Sequence, residues 1–301
     1  LNIREHIRKK IDPEVLRVIE TFGSVCQENN RRLVMVGGSV RDIIMDRAVF
    51  DVDLMADHPV QPLIQLLKNK LPLRVVSHPQ FLTFSVFWDS KKVDIVTSRE
   101  EAYPQAAQLP VVTPSAIEKD FKRRDFTINA IACWVSGGEM GDIYDPLSGY
   151  QDLKERREVK ALHDQSFRDD PTRLFRAARF TSRFGFQVER NTQQWINKSL
   201  ENGLLKLLSP VRRRHEFELL LKEENPVPAM ELLKKWGALT FFYEGCDLSP
   251  DHKNDLKPLA KPDLAGRLVS WFKPLGRDKT EKILNELQFE RERKKEILAH
   301  L

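Results

Sequence analysis

Residues 33–42 read Leu33-Val34-Met35-Val36-Gly37-Gly38-Ser39-Val40-Arg41-Asp42, and Phe50-Asp51-Val52-Asp53-Leu54-Met55 follows after a short helical stretch. An apolar run closed by two glycines is a strand entering a tight turn, and the next residues suit the start of a helix. Free backbone N–H groups and the helix dipole then sit at a natural phosphate position, and Arg41 adds a cation. Phe50 to Met55 alternates apolar and acidic residues, as a half-exposed strand does. On that strand Asp51 and Asp53 project from one face, about 6–7 Å apart. Two such carboxylates repel unless a divalent cation lies between them. Two magnesium ions about 4 Å apart can be clamped between these acids and a nucleoside triphosphate. A Gly-Gly turn or an Asp-x-Asp pair alone is weak evidence; their order and spacing together are specific.

Outward from this element, the first thirty residues read as one amphipathic helix on Ile11, Val15, Val18 and Ile19. Further strands fit Leu73 to Val76, Phe81 to Trp88 and Val93 to Val96, with helices near Val60 to Leu71 and Thr127 to Trp134. The fold class is α+β: a mixed-sheet head over residues 1–150, then helical segments over 151–224 and 225–301. The turn cluster Asp145-Pro146-Leu147-Ser148-Gly149 marks the change. A chain of 301 residues suits two or three domains. It opens on Leu1 and stops inside a charged helical pattern, as a piece of a longer protein would. No apolar run is long enough for a bilayer, and no signal segment opens the chain, so the cytoplasm is the expected compartment. Cys26, Cys133 and Cys246 are too far apart for CxxC pairs and read as core thiols.

Two further constellations carry chemistry. In Lys122-Arg123-Arg124-Asp125-Phe126-Thr127-Ile128-Asn129-Ala130, the arginines precede residues that must pack inside. They can grip triphosphate oxygens bidentately, or bridge to Asp120 or Asp125 on the surface. Asp94, in Lys92-Val93-Asp94-Ile95-Val96, is either a third acid or an exposed strand residue paired with lysine. In Asp169-Asp170-Pro171-Thr172-Arg173, Asp170 fits a helix N-cap ahead of Pro171. Arg173, Arg176, Arg179 and Arg183 recur as one basic stripe. Asp170 and Arg173 can also read a base, since cytosine and adenine each present an amino donor beside an unprotonated ring nitrogen. Uracil and guanine present the reverse. Residues 151–224 carry sixteen Lys and Arg against twelve Asp and Glu, giving +4 of the chain's formal +5. That suits RNA, or a solvated helical surface. Arg212-Arg213-Arg214 lies either on an RNA path or within the structure.

These motifs together resemble the class II tRNA nucleotidyltransferases and bacterial poly(A) polymerases of the DNA polymerase β superfamily. The resemblance covers residues 33 to 224: GGxVRD with DxD, RRDFTINA at Arg123 to Ala130, the hinge at Asp145 to Leu153, the helix from Asp169 to Phe180, and a fainter motif at Ser209 to Leu219. Asp169 departs from the family's usual Glu. The resemblance implies a nucleotidyltransferase head, a helical neck and a body with a truncated tail. It makes Asp51 and Asp53 the catalytic magnesium ligands and puts Gly38, Arg41 and Arg124 at the incoming ATP or CTP. It also gives Asp170, Arg173, Arg176 and Arg179 the nucleobase and nucleotide contacts. The partner it implies is the tRNA acceptor stem and 3′ end, with no membrane and no stable protein partner. The stretch Ser98 to Pro104 through Pro110-Val111-Val112 looks more like the A-adding branch. Poly(A) polymerase shares every motif. A non-catalytic RNA-binding module has no use for two adjacent like-charged carboxylates.

Overall fold

The computed structural model describes residues 1–57, 59–258 and 263–301, apart from the side chain of Glu139. The N-terminal segment is two helices, α1 (Arg4–Lys10) and α2 (Pro13–Glu28), not one. Pro13 cannot donate into a preceding helix, and the Asp12 carboxylate accepts from the N–H groups of Glu14 at 2.9 Å and Val15 at 3.4 Å, starting α2 afresh. Then follow β1 (Leu33–Val36), α3 (Gly38–Ile44), β2 (Asp53–Ala56), α4 (Gln61–Lys70), β3 (Arg74–His78), β4 (Thr83–Trp88), β5 (Lys91–Thr97), β6 (Arg99–Ala102), β7 (Val111–Pro114), α5 (Ile117–Asp120), β8 (Ala132–Trp134), β9 (Ile143–Tyr144), α6 (Gly149–Gln151) and β10 (Glu158–Val159).

Seven strands form one mixed sheet in the order β3-β4-β5-β2-β1-β8-β9, in which β2 and β5 run parallel. The interior strand β1 is buried throughout and pairs antiparallel with β2 and β8. A core of Val34, Val36, Met55, Ile117, Phe121, Ala130 and Ala132 gathers on it. Two expectations need correction. The strand expected from Phe50 begins at Asp53, leaving Phe50 91% exposed and Asp51 before the ladder. The stretch Thr127 to Trp134 is a 3₁₀ turn, Thr127–Asn129, followed by β8 rather than a helix. Its apolar run fits either state locally, and pairing with Val34, Met35 and Val36 decides it.

Contacts divide the chain into two compact units. The first is 1–104 with 109–162; the second is 105–108 with 163–301. The second unit holds α7 (Ser166–Asp169), α8 (Thr172–Phe184), the two-residue strand β11 (Gln187–Val188), α9 (Arg190–Glu201), α10 (Pro210–Leu221), α11 (Val227–Lys235), α12 (Pro250–Asp255), α13 (Leu264–Phe272), α14 (Arg277–Glu286) and α15 (Arg291–Ala299). Buried aromatics fill it: Phe217 meets the Trp271 ring edge-on at 5.3 Å and the Phe242 ring at 5.1 Å. Among the described residues no helix is long and apolar enough to cross a membrane.

The hinge motif has a steric cause. Asp145 accepts from the N–H groups of Gly149 and Tyr150, both at 2.8 Å, which presses Gly149 onto the Thr127 turn. A Cβ at Gly149 would lie 2.1 Å from the Thr127 carbonyl oxygen. Gly149→Ala is expected to destabilise the first unit by about 2–3 kcal/mol in urea unfolding. Gly138→Ala, where a Cβ meets nothing within 4 Å, is expected to stay within about 0.5 kcal/mol of the parent.

Candidate functional site

The turn between β1 and α3 rests on Gly37, whose φ of +72° and ψ of −130° no side chain adopts without strain. Its N–H donates to the Ile131 carbonyl at 3.1 Å, joining the turn to the start of β8. Two arginines close around it. A Cβ on Gly37 would sit 3.2 Å from Arg124 Nη1, and one on Gly38 3.5 Å from Arg41 Nη2. The structure therefore brings Gly38, Arg41 and Arg124 to one turn.

Arg41 is 4% exposed and donates to both carboxylate oxygens of Asp42, at 2.9 and 3.0 Å, and to the side-chain oxygen of Asn129. Asn129 in turn donates to Asp125 at 3.0 Å. Arg124 donates to Asp120 at 3.1 Å and to the Asn129 carbonyl at 3.2 Å, with its guanidinium 5.4 Å from the Phe121 ring centroid. Its Nε is buried and has no partner among the described residues. Arg123 donates to Asp120 and Glu101, so both arginines bridge to Asp120.

The acids lie on the neighbouring strands. Asp53 opens β2 and stands directly beside Asp94 of β5 in parallel register. Burial pushes the Asp53 carboxyl up to about 6, with Asp94 and Asp51 adding repulsion and Arg124 and Lys92 opposing it. Asp94 accepts from Ser85 Oγ at 2.6 Å and pairs with Lys92 at 2.7 Å. Asp94 is thus paired with lysine, as one reading had it, and it also stands next to Asp53. A cleft of about 470 Å³ opens beside them, lined by Asp53, Asp94, Ser85, Lys92, His78 and Phe81. Among the described residues no three His, Cys, Asp or Glu side chains form a complete metal cage. Magnesium is commonly held by one or two carboxylates together with substrate phosphates, and crowded hard oxygen donors with a raised proton affinity fit that use.

In the second unit Asp170 precedes α8 and accepts from the Thr172 N–H at 3.0 Å and hydroxyl at 2.6 Å, so it caps the helix. It is also paired with Arg212 at 2.5 Å. Arg173 is buried and donates to Ser166 Oγ at 2.7 Å; Arg176 lies over the Phe180 ring at 5.4 Å. The basic stripe is not open cation. Arg179 is buried and binds Glu223 at 2.9 Å and Glu216 at 3.2 Å, and Arg183 binds Glu223 at 2.5 Å. The triplet Arg212-Arg213-Arg214 bonds within its own unit. Arg212 also donates to the Ala107 carbonyl at 2.6 Å, Arg213 to the Phe242 carbonyl and Glu286, each at 3.1 Å, and Arg214 to the Gln288 carbonyl.

Against known families, residues 33–158 match the poly(A) polymerase head domain, and residues 185–248 match the probable RNA and SrmB-binding site of polymerase A. The chain belongs to the poly(A) polymerase and tRNA nucleotidyltransferase family. It is 34% identical over 256 residues to an A-adding tRNA nucleotidyltransferase of Geobacter sulfurreducens, covering 85% of this chain and 28% of that protein. It is 32% identical over 281 residues to the A-adding enzyme of Halalkalibacterium halodurans, covering 91% and 64%. The solved Thermotoga maritima CCA-adding enzyme complexed with tRNA aligns with a TM-score of 0.78 at 26% identity, over 99% of this chain and 72% of that one. The chain thus spans under two thirds of the length of these curated relatives.

Within this family frame, sequence reasoning passed over Asn129, Glu216 and Glu223. Asn129 was written inside the RRDFTINA motif, and its amide is what ties Arg41 to Asp125. Glu216 lay in the faint motif at Ser209 to Leu219, where a charge among Phe217, Leu220 and Leu221 signals a buried partner. Burial pushes the Glu223 carboxyl up, but Arg183 and Arg179 outweigh this and hold it below the ordinary glutamate value. A carboxylate lowered in the folded state stabilises above its unfolded value near pH 4.5 and loses that contribution as pH falls through the folded value. Glu223→Gln is expected to cost about 3 kcal/mol at pH 7. The gap between parent and variant in urea unfolding is expected to shrink steadily below pH 4.5.

Proposed function

We propose that this chain transfers a nucleotide from ATP or CTP to the 3′ end of tRNA, releasing pyrophosphate, with a lean to A-addition, in the cytoplasm. The observation that carries this reading is the position of Arg124, which reaches the Gly37 turn and also acts electrostatically on Asp53. A phosphate cradle and an acid pair are thereby joined by one guanidinium, as transfer at an α-phosphate requires. The A-adding relatives support the choice of adenine.

In this reading residues 1–150 hold the catalytic head, 151–224 a neck that selects the base and contacts RNA, and 225–301 a helical body. Asp51 and Asp53, with Asp94 beside them, would hold two magnesium ions, which when bound neutralise charge at the transferring phosphate. Gly38, Arg41 and Arg124 hold the triphosphate so that its α-phosphate faces the acids. Arg41 is already fixed by Asp42 and Asn129, so little side-chain freedom is lost on binding. Asp170 accepts from the amino group of adenine or cytosine, and Arg173 donates to the adjacent ring nitrogen. Arg176 adds a nucleotide contact, and Arg179, braced by Glu216 and Glu223, keeps α8 in place beneath them. Asp170 engages Thr172 and Arg212 through Oδ1, which leaves Oδ2 to accept from the base.

The deciding experiment is primer extension on tRNAs ending before, within and just short of CCA, with ATP and CTP supplied separately. Extension of tRNA ending in CC with ATP alone is expected. Indiscriminate adenylation of any RNA would favour the poly(A) polymerase reading, and no extension of any primer would favour a binding module. Asp51→Ala and Asp53→Ala are each expected to lower turnover at least a thousandfold, about 4 kcal/mol, with unchanged melting and tRNA affinity. Near-normal turnover of either in saturating magnesium would remove that residue from the catalytic pair.

Asp170→Ala is expected to lower stability by about 1 kcal/mol through the lost cap and to relax rejection of UTP and GTP by roughly tenfold or more. Incorporation of all four nucleotides, measured beside a melting curve, separates the two effects. A lowered melting point with an unchanged ranking would leave Asp170 a cap alone.

A further inference from the structure

A second cleft lies at the opposite end of β1 from the Gly37 turn. It encloses about 260 Å³ and is lined by Gln27, Asn30, Arg31, Arg32, Trp134 and Ser136. Arg31 and Arg32 lead into β1 at Leu33, whereas Gly37 follows its last residue. On the antiparallel neighbour, Trp134 pairs with Val34 while Ala132 pairs with Val36. Four strand residues, about 13 Å, therefore separate this cleft from the phosphate turn, and none of its lining belongs to that site.

Its two arginines differ. Arg32 is neutralised, donating to Asp57 at 2.7 Å and Glu118 at 2.9 Å, and its guanidinium lies 5.7 Å from the Trp134 ring centroid. Arg31 is half-buried, and among the described residues its guanidinium has no ion pair and no hydrogen bond. The carbonyls ending α2 do not claim it, because the backbone N–H groups of Asn29 and Arg31 serve Cys26 at 3.1 and 2.8 Å, and that of Asn30 serves Gln27 at 3.1 Å. Ser136 Oγ accepts the Leu33 N–H at 3.1 Å, which leaves its own proton for a ligand.

A half-buried guanidinium without a counter-ion attracts an anion. The indole and guanidinium planes of Trp134 and Arg32 suit the face of an aromatic ring, and the Gln27 and Asn30 amides suit a base edge. The volume, just under that of drug-sized pockets, fits one unit of this kind and no more. We propose that this cleft binds a single nucleotide, with its phosphate on Arg31 and its base against Trp134. The site is separate from the transferase reading and does not depend on it. A free nucleoside monophosphate and an unpaired nucleotide of an RNA strand share this chemistry.

Photolabelling the intact chain with 8-azido-AMP, followed by peptide mapping, tests the assignment. Label is expected on the peptides holding Gln27–Arg32 or Trp134–Gly137, reduced at least tenfold by Arg31→Glu. Arg31→Gln, which removes the charge without reversing it, is expected to act in the same direction, with melting curves showing that both variants fold. Lys206→Glu, the same charge change on an exposed residue of the helical unit, is expected to leave the labelling intact. Protection by a short oligoadenylate at lower concentration than by AMP identifies RNA as the source, and protection by AMP alone identifies the free nucleotide. Label confined to the peptides around Gly38, equal losses in Arg31→Glu and Lys206→Glu, or protection by neither competitor would overturn the proposal. Because the readout is not activity, its failure leaves the transferase reading untouched.

Discussion

The head depends on one buried carboxylate. Asp120 is fully buried and accepts from the Arg99 backbone N–H at 3.1 Å, from Arg123 Nε and Nη2 at 3.0 and 2.9 Å, and from Arg124 Nη2 at 3.1 Å. A carboxylate removed from water is tolerable only when its lone pairs are saturated by charged donors. Meeting that demand fixes three chain segments at once: the start of β6, the turn after α5, and Arg124 itself. Arg124 then has one orientation available, over the Gly37 turn and toward Asp53. One of the two arginines at the Gly37 turn is thus held by a residue that is not itself part of that turn.

The helical unit solves the converse problem. There the buried groups in excess are arginines, and Glu216 and Glu223 are the acids that make Arg179 and Arg183 tolerable inside. This is why a formal +4 over residues 151–224 overstates the cationic surface. Of the seven arginines at 173, 176, 179, 183, 212, 213 and 214, at least five donate to acids or carbonyls of their own unit. Charge counted along a sequence cannot separate a guanidinium that meets phosphate from one that crosses a core.

What was legible in the sequence was local. The Gly-Gly turn, the Asp145 to Gly149 turn and the Asp170 cap all draw on neighbours within about five residues, and each formed near where it was read. What was not legible came from distant partners. Residues 127–134 are a turn and a strand because β1 lies alongside, nearly a hundred residues earlier, and an apolar run carries no record of that neighbour. The first helix broke at Pro13, a local signal overlooked because Ile11, Val15, Val18 and Ile19 keep a helical spacing across the break. The partner of Asp170 was hidden for the same reason as β8, since Arg212 is 42 residues away. Sequence order showed which chemistry is present, and long-range pairing decided which groups are free to perform it.

That distinction bears on where binding energy can come from. At Asp53 the head is electrostatically unfinished: the carboxyl is raised by burial and by two neighbouring acids, and Arg124 offsets this only in part. A cationic or proton-bearing ligand therefore gains there whatever the fold leaves uncompensated. Around Asp170 the charge is met on one side only: Thr172 and Arg212 both engage Oδ1, and among the described residues Oδ2 accepts no hydrogen bond. The first arrangement yields affinity with little regard to which base arrives. The second yields discrimination, because Oδ2 of Asp170 stabilises only a group that presents a donor to it. In this chain the two kinds of electrostatics are carried by different compact units.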